Sequence, residues 1–172
     1  MASKKNFCIW FFGGLTAFAI TIWFHLPLAI EAVPEGISEH QRAPDAATVN
    51  AIHAAWQSAG LYGQARLAMI SDLIFIGIYG VGCVLGGLYY LRSESGLLKA
   101  LGWIALLCGA VFLITDYGET IAQFIQLQAN AGDDGLANIA SSLRPTKMAT
   151  WIGAFLSLIA ALLIERFSRK SA

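Results

Sequence analysis

The third apolar segment of the chain, Leu97–Gln128, reads LLKALGWIALLCGAVFLITDYGETIAQFIQLQ. Its first part is apolar enough to cross a lipid bilayer, and residues 115–119, TDYGE, then bring two carboxylates into it. A charge inside a bilayer is costly, so an acidic residue in a membrane helix normally faces a partner or a cavity. The segment therefore predicts a membrane-spanning helix with a polar site near one end.

The composition of the whole chain is that of a membrane protein. Hydrophobic residues make up 57% of its 172 residues and charged residues 13%, whereas about a quarter of the residues of a soluble domain are charged. Three further apolar segments are long enough to cross a bilayer at about 1.5 Å per residue. We predict a single all-α domain, an antiparallel up-down bundle of four transmembrane helices, with spans at 7–30, 65–91, 99–126 and 145–165.

The two longer loops of this bundle are predicted at residues 32–64 and 129–142. In the first, Asp45 can cap a helix in which apolar residues recur at helical spacing, namely Val49, Ile52 and Trp56. This pattern predicts a short helix at the membrane interface, and an extension of the next span is the alternative. In the second loop, Asp133-Asp134-Gly135 indicates a turn, and Pro145 suits the first turn of the fourth helix.

Lysine and arginine are distributed unevenly between the two ends of the bundle. Seven of them lie near the two termini and in the loop between the second and third spans, whereas four lie at the other end. Because basic residues favour the cytoplasmic side, we predict an inner (plasma) membrane protein with both termini in the cytoplasm. The two longer loops are then extracytoplasmic.

The unusual polar residues of the four spans are predicted to share one depth. Measured from the basic end of each helix, they lie about 25–30 Å along its axis. On the third helix, Asp116, Glu119 and Gln123 recur at spacings of three and four and so share a face. We predict a carboxylate-rich pocket at the extracytoplasmic mouth, formed by His25, Asp72, Tyr79, Asp116, Glu119, Gln123 and Lys147. The predicted ion-pair partners of its acids are Arg66 and Arg144.

Four interpretations remain open for this layer, by which we mean the polar residues that share one depth in the four spans. Its three acids and three bases could form a neutral ion network that only fixes how the helices pack. It could bind a ligand or a partner protein, act as the acid and base of an enzyme for a lipid or isoprenoid, or hold a metal. No nucleophile signature and no Glu-x-x-His pair accompanies the acids. Among the functional interpretations, a non-catalytic ligand-binding or accessory subunit is therefore favoured.

Two short motifs resemble a pattern of small four-span bacterial membrane proteins. They are Asp72-Leu73-Ile74-Phe75 and Asp116-Tyr117-Gly118-Glu119-Thr120, and an Asn often stands in that pattern where this chain has Thr120. The resemblance covers about residues 63–163. It implies the four-span fold and a role for the carboxylates, and it implies no particular reaction.

No cofactor, metal or nucleic acid is indicated as a partner. The chain has no C-x-x-C pair, no set of paired transmembrane histidines for haem and no phosphate-binding glycine loop. The expected partners are membrane lipids, and either another membrane protein or a second copy of this chain. Gly82 and Gly86 form a G-x-x-x-G motif that could serve such an association, although packing within the chain is favoured.

Overall fold

The structure, a computed structural model, describes residues 3–168. This part of the chain is all-α, with four long apolar helices packed in an up-down arrangement and short helices in the first loop. The long helices are α1 (Lys4–His25), α4 (Tyr62–Tyr90), α5 (Gly96–Ala129) and α6 (Asp134–Ser168). The short helices are α2 (Ile37–His40) and α3 (Ala46–Ser58), and a 3-10 helix, Leu26–Leu28, follows α1. All four long helices can span a bilayer, so the predicted fold class is confirmed and the chain is a multi-pass membrane protein.

The helix predicted in the first loop is present as α3. Asp45 caps it, because its Oδ1 accepts a hydrogen bond from the Thr48 backbone N–H at 2.8 Å, and this contact lowers the pKa of Asp45. Its apolar stripe is buried, as the spacing predicts: Val49, Ile52 and Trp56. Gly60, with a φ of +71°, separates α3 from α4. The alternative of a continuous helix is therefore wrong.

The main difference from the predicted boundaries lies at the start of the fourth helix. The sequence predicts a loop over 129–142, but α6 begins at Asp134 and contains Pro145 within it. Asp133 explains the early start, because its Oδ1 accepts a hydrogen bond from the Leu136 backbone N–H at 2.8 Å. A proline is tolerated inside a membrane helix where neighbouring groups satisfy the freed carbonyl. Asp133-Asp134-Gly135 thus starts a helix.

The contacts divide the chain into two compact units. The first unit comprises residues 1–15, 77–114 and 146–172, and the second comprises 16–76 and 115–145. Each long helix contributes one segment to each unit. The short helices α2 and α3 belong to the second unit.

In the first unit, the G-x-x-x-G motif packs within the chain. A Cβ atom on Gly82 would lie 2.6 Å from the backbone nitrogen of Phe11, so only glycine allows α1 and α4 to approach this closely. A Cβ atom on Gly86 would likewise overlap the Phe7 ring and a methyl carbon of Leu158. These contacts are intramolecular, as the sequence favours, and they run antiparallel along α1 and α4.

In the second unit, residues of the first loop pack around Trp56 in an apolar core that they share with Met69 of α4 and Leu127 of α5. The Trp56 side chain is fully buried, and its Nε1 donates a hydrogen bond to the carbonyl oxygen of Leu28 at 3.0 Å. His40 and His53 pack beside Trp56, each 2% exposed, with their Nε2 atoms 3.0 Å apart. Burial lowers the pKa of His40 to about 3, with a further contribution from His53, and lowers the pKa of His53 to about 4.

We expect acid to destabilise this core through the histidine pair. Between about pH 6.5 and pH 4 the unfolded histidines bind protons and the folded pair does not, so the free energy of unfolding falls as the pH falls. The slope is up to about 1.4 kcal/mol per pH unit for each histidine. Above about pH 7 the pair contributes no pH dependence.

Thermal unfolding in detergent between pH 7.5 and pH 4.5 measures this effect. A His40→Phe/His53→Phe double variant should show a shallower loss of stability than the wild type. Equal slopes for the two proteins would mean that the pair does not control the acid sensitivity.

Candidate functional site

The acidic stripe predicted on the third apolar segment lies in α5 and is buried. Asp116 is 2% exposed, Glu119 is 0% exposed and Gln123 is 1% exposed. Thr120 is also fully buried, and its Oγ1 donates a hydrogen bond to Asp116 Oδ1 at 3.4 Å. All four side chains belong to the second unit. Thr120 is the one that the sequence analysis did not assign to the site, although its position four residues after Asp116 could have indicated it.

Helix α4 brings Asp72 to the same level of the second unit. The Tyr117 hydroxyl donates a hydrogen bond to the carbonyl oxygen of Leu73 at 3.1 Å. The neighbour of Asp116 therefore contacts the neighbour of Asp72. Asp72 is itself 6% exposed. This contact places the turns of α4 and α5 that carry Asp72 and Asp116 side by side.

Helix α6 places Arg144 beside the turn of α5 that carries Glu119. A Cβ atom on Gly118 would lie 2.8 Å from Leu143 Cδ1, so the residue before Arg144 packs against the residue before Glu119. Arg144 is partly buried, and its Nε has no hydrogen-bond partner among residues 3–168.

His25 and Arg66 lie where α1 meets the first turns of α4. Gln64 Nε2 donates a hydrogen bond to the carbonyl oxygen of Phe24 at 2.7 Å, which joins the end of α1 to α4. The Arg66 guanidinium lies 5.0 Å from the centroid of the Tyr62 ring, a cation–π contact. His25 and Arg66 are both partly buried. Their backbone positions thus belong to the second unit together with the acids.

Tyr79 and Lys147 belong to the first unit. The Tyr79 ring centroid is 5.3 Å from that of Phe112 and 5.8 Å from that of Phe11, and the side chain is fully buried. Its hydroxyl donates a hydrogen bond to the carbonyl oxygen of Trp151 at 3.2 Å. Tyr79 is therefore part of the aromatic core of that unit. The second unit holds the rest of the predicted set, namely His25, Asp72, Asp116, Glu119 and Gln123 with Arg66 and Arg144.

A polar cluster that the sequence analysis did not identify surrounds Glu165 in the first unit. Lys4 Nζ lies 2.7 Å from Glu165 Oε2, and the Tyr90 hydroxyl donates to the same oxygen at 3.1 Å. The Tyr89 hydroxyl donates to Oε1 at 3.2 Å. The cluster joins α1, α4 and α6. Two features of the sequence could have indicated this cluster. They are the acid at the end of the fourth span and the Tyr-Tyr pair at the end of the second.

Two buried glutamines on α5 differ in their hydrogen bonds. Gln126 Nε2 donates to the carbonyl oxygen of Ala122 at 3.2 Å, and its Oε1 accepts from the Asp133 backbone N–H at 3.0 Å. Neither the Nε2 nor the Oε1 of Gln123 has a hydrogen-bond partner within residues 3–168. Such a buried polar atom costs about 1–3 kcal/mol. Buried amides in native proteins are nearly always bonded to protein, water or ligand, so Gln123 marks a place where a polar molecule would be stabilised.

Within the described residues, no group of three or more His, Cys, Asp or Glu side chains is arranged to hold a metal ion. No family model, curated protein or solved structure matches the chain. The chemistry of the buried side chains is therefore the basis for a functional proposal.

We expect the two glutamines to respond differently to the same substitution. Gln126→Met removes two hydrogen bonds and leaves the Asp133 N–H without its acceptor, so the free energy of unfolding should fall by about 1–3 kcal/mol. Gln123→Met replaces an amide that has no partner in the described chain, so stability should stay within about 0.5 kcal/mol or rise. Thermal unfolding of protein washed extensively in detergent measures both. An equal loss in the two variants would contradict the difference in bonding.

Proposed function

We propose that the protein is a non-catalytic ligand-binding or accessory subunit that holds a small polar ligand in the second unit, through Asp116, Glu119 and Gln123. The observation that supports this most strongly is the Gln123 amide, which is 1% exposed and has no hydrogen-bond partner among the described residues. It lies on the same helix face as two buried acids. A bound molecule would satisfy the amide and use the acids as well.

The side chains favour a ligand that donates hydrogen bonds. An ionised carboxylate only accepts them, and a glutamine amide offers one acceptor and two donors. Hydrogen bonds to charged groups are stronger than neutral ones, and the low dielectric constant of a buried site strengthens them further. A protonated primary amine matches the acids and the amide oxygen, and an acceptor elsewhere in the ligand would bind the amide N–H groups. It could come from a free small amine or from the head group of an aminophospholipid.

Two other interpretations use the same residues. In an ion network, the bases Arg66, Arg144 and Lys147 would neutralise the acids and no ligand would be needed. That arrangement gives the Gln123 amide no partner, which is why we favour ligand binding. In an enzyme for a lipid or isoprenoid, a carboxylate would have to lie within hydrogen-bond reach of the reacting proton. If the protein were such an enzyme, both a product and a substrate should be found bound to it.

Native mass spectrometry of the detergent-solubilised protein tests the proposal. We expect the wild type to carry a bound mass that Glu119→Gln and Gln123→Met both lose, because the first variant removes the charge that strengthens a hydrogen bond to the ligand and the second removes the amide. Gln128→Met is the matched control, since Gln128 is an exposed glutamine of the same helix, and it should retain the ligand. The mass distinguishes a free amine from a lipid.

Several outcomes would contradict ligand binding at this site. A wild type without bound mass, or full retention in both site variants, would leave the ion network as the explanation of the layer. A pair of masses related as substrate and product would favour the enzyme. If Arg144→Ala destabilises the protein and Asp116→Asn restores that loss, the acids and bases act as a network.

We further propose that the protein lies in the inner (plasma) membrane with both termini in the cytoplasm. The excess of lysine and arginine near the termini and in the loop between the second and third spans supports this orientation. Ser95, between α4 and α5, and Ser58, at the end of α3, are both exposed and suit a labelling test.

In a background without Cys8, Cys83 and Cys108, we expect a membrane-impermeant maleimide to label Ser58→Cys in intact cells. Ser95→Cys should react only after the membrane is permeabilised, because its loop would lie in the cytoplasm. Equal labelling of the two variants in intact cells, or the reverse order, would show that the proposed orientation is incorrect.

A further inference from the structure

A pocket lies at the end of α4, where the chain turns towards α5. It has a volume of about 230 Å³ and belongs to the first unit. Three largely apolar side chains and three polar or charged ones line it, namely Tyr89, Tyr90, Leu98, Arg92, Ser93 and Glu165. The lining exposes polar atoms as well as apolar ones. Such a pocket suits an occupant that has both a charged part and an apolar part.

The position of the pocket along α4 places it at the membrane boundary. Helix α4 can span a bilayer and ends at Tyr90, and the pocket extends from Tyr89 into the turn that carries Arg92 and Ser93. Tyrosine and arginine at the end of a span are typical of the level of lipid head groups. The orientation proposed above puts this boundary in the cytoplasmic leaflet, whose anionic lipids attract basic residues. A lipid head group is therefore a molecule that would meet this pocket in a membrane.

The charges around the pocket favour an anionic group. Glu165 is matched by Lys4, whose Nζ lies 2.7 Å from Glu165 Oε2. Arg92 brings a second positive charge to the lining, so these three residues together have one positive charge in excess. Glu94 and Lys99, nearby in the chain, are both exposed and carry opposite charges, so they add no net charge.

The pocket also offers hydrogen-bond donors to an anion. Arg92 is exposed, and its guanidinium has five N–H donors in a planar fork that matches a phosphate. A contact within the chain therefore leaves other donors of Arg92 available. Ser93 Oγ accepts a hydrogen bond from the Ser95 backbone N–H at 3.3 Å, and its own O–H can still donate.

We propose that this pocket binds the head group of an anionic phospholipid, whose phosphate accepts hydrogen bonds from Arg92 and Ser93. The glycerol backbone and the start of the acyl chains would lie against Leu98 and the Tyr89 ring. A free phosphate ester could make the same contacts with Arg92, but it would leave the apolar part of the lining uncovered. The pocket shares no residue with the polar site of the second unit, so the two proposals are independent.

Two lipids with the same phosphate and the same chains test this inference. Dioleoyl phosphatidylglycerol has a net negative charge, whereas dioleoyl phosphatidylcholine is neutral overall. In native mass spectrometry from equimolar mixed micelles, we expect the wild type to retain phosphatidylglycerol about fivefold more than phosphatidylcholine, the preference that the attraction of one basic residue gives.

Matched variants locate the preference at the pocket. Arg92→Gln removes the charge and should abolish the preference, whereas Arg92→Lys keeps the charge and should keep most of it. Lys99→Gln is the matched control, because Lys99 is an exposed base in the first turn of α5, and it should keep the full preference. Because Arg92 is exposed, the thermal unfolding of Arg92→Gln should match that of the wild type, which separates a loss of binding from a loss of fold.

Four results would overturn the inference. Equal retention of the two lipids by the wild type, or an unchanged preference in Arg92→Gln, would show that the pocket does not select an anionic lipid. An equal loss of preference in Arg92→Gln and Lys99→Gln would indicate a general attraction to basic residues. Retention of glycerol phosphate by delipidated wild type, at the concentration used for the lipids, would identify a free phosphate ester as the ligand.

The same experiment separates this pocket from the polar site of the second unit. Gln123→Met should keep the preference for phosphatidylglycerol, because Gln123 belongs to the other unit. A preference that Gln123→Met loses and Arg92→Gln keeps would assign the lipid to the acidic site.

Discussion

A membrane interior offers no water to polar groups, and the arrangement of this protein depends on that constraint. The backbone is satisfied by four long helices. Several side chains are satisfied by hydrogen bonds to carbonyl oxygens, as in the bond of Tyr117 to Leu73 and that of Tyr79 to Trp151. Each of these bonds joins two helices. These hydrogen bonds therefore determine which turns of neighbouring helices lie side by side. Apolar packing alone would not fix the position of one helix along the axis of the other.

The two units use buried polar residues differently. In the first unit, the carboxylate of Glu165 accepts hydrogen bonds from three side chains on two other helices, so its charge is matched and its geometry is defined. In the second unit, the amide of Gln123 and the hydroxyl of Thr21 are buried without a partner in the described chain. A satisfied cluster rigidifies a structure, whereas an unsatisfied one has binding capacity. This contrast supports the proposal that the second unit binds a ligand.

The proposed ligand site combines charge with burial. The acids beside Gln123 would attract a donor that carries positive charge, and their full burial would exclude competing water.

The sequence by itself determined the features that depend on local periodicity and composition. Hydropathy located the four spans, helical spacing placed Asp116, Glu119 and Gln123 on one buried face, and the capping role of Asp45 followed from residue type. The start of α6, the placement of Tyr79 in an aromatic core and the difference between Gln123 and Gln126 were decided only by the tertiary structure. Gln126 is satisfied because the α5–α6 turn brings the Asp133 N–H to its side chain. Spacing along one helix shows which face a residue occupies, but not which atom of another segment will meet it there.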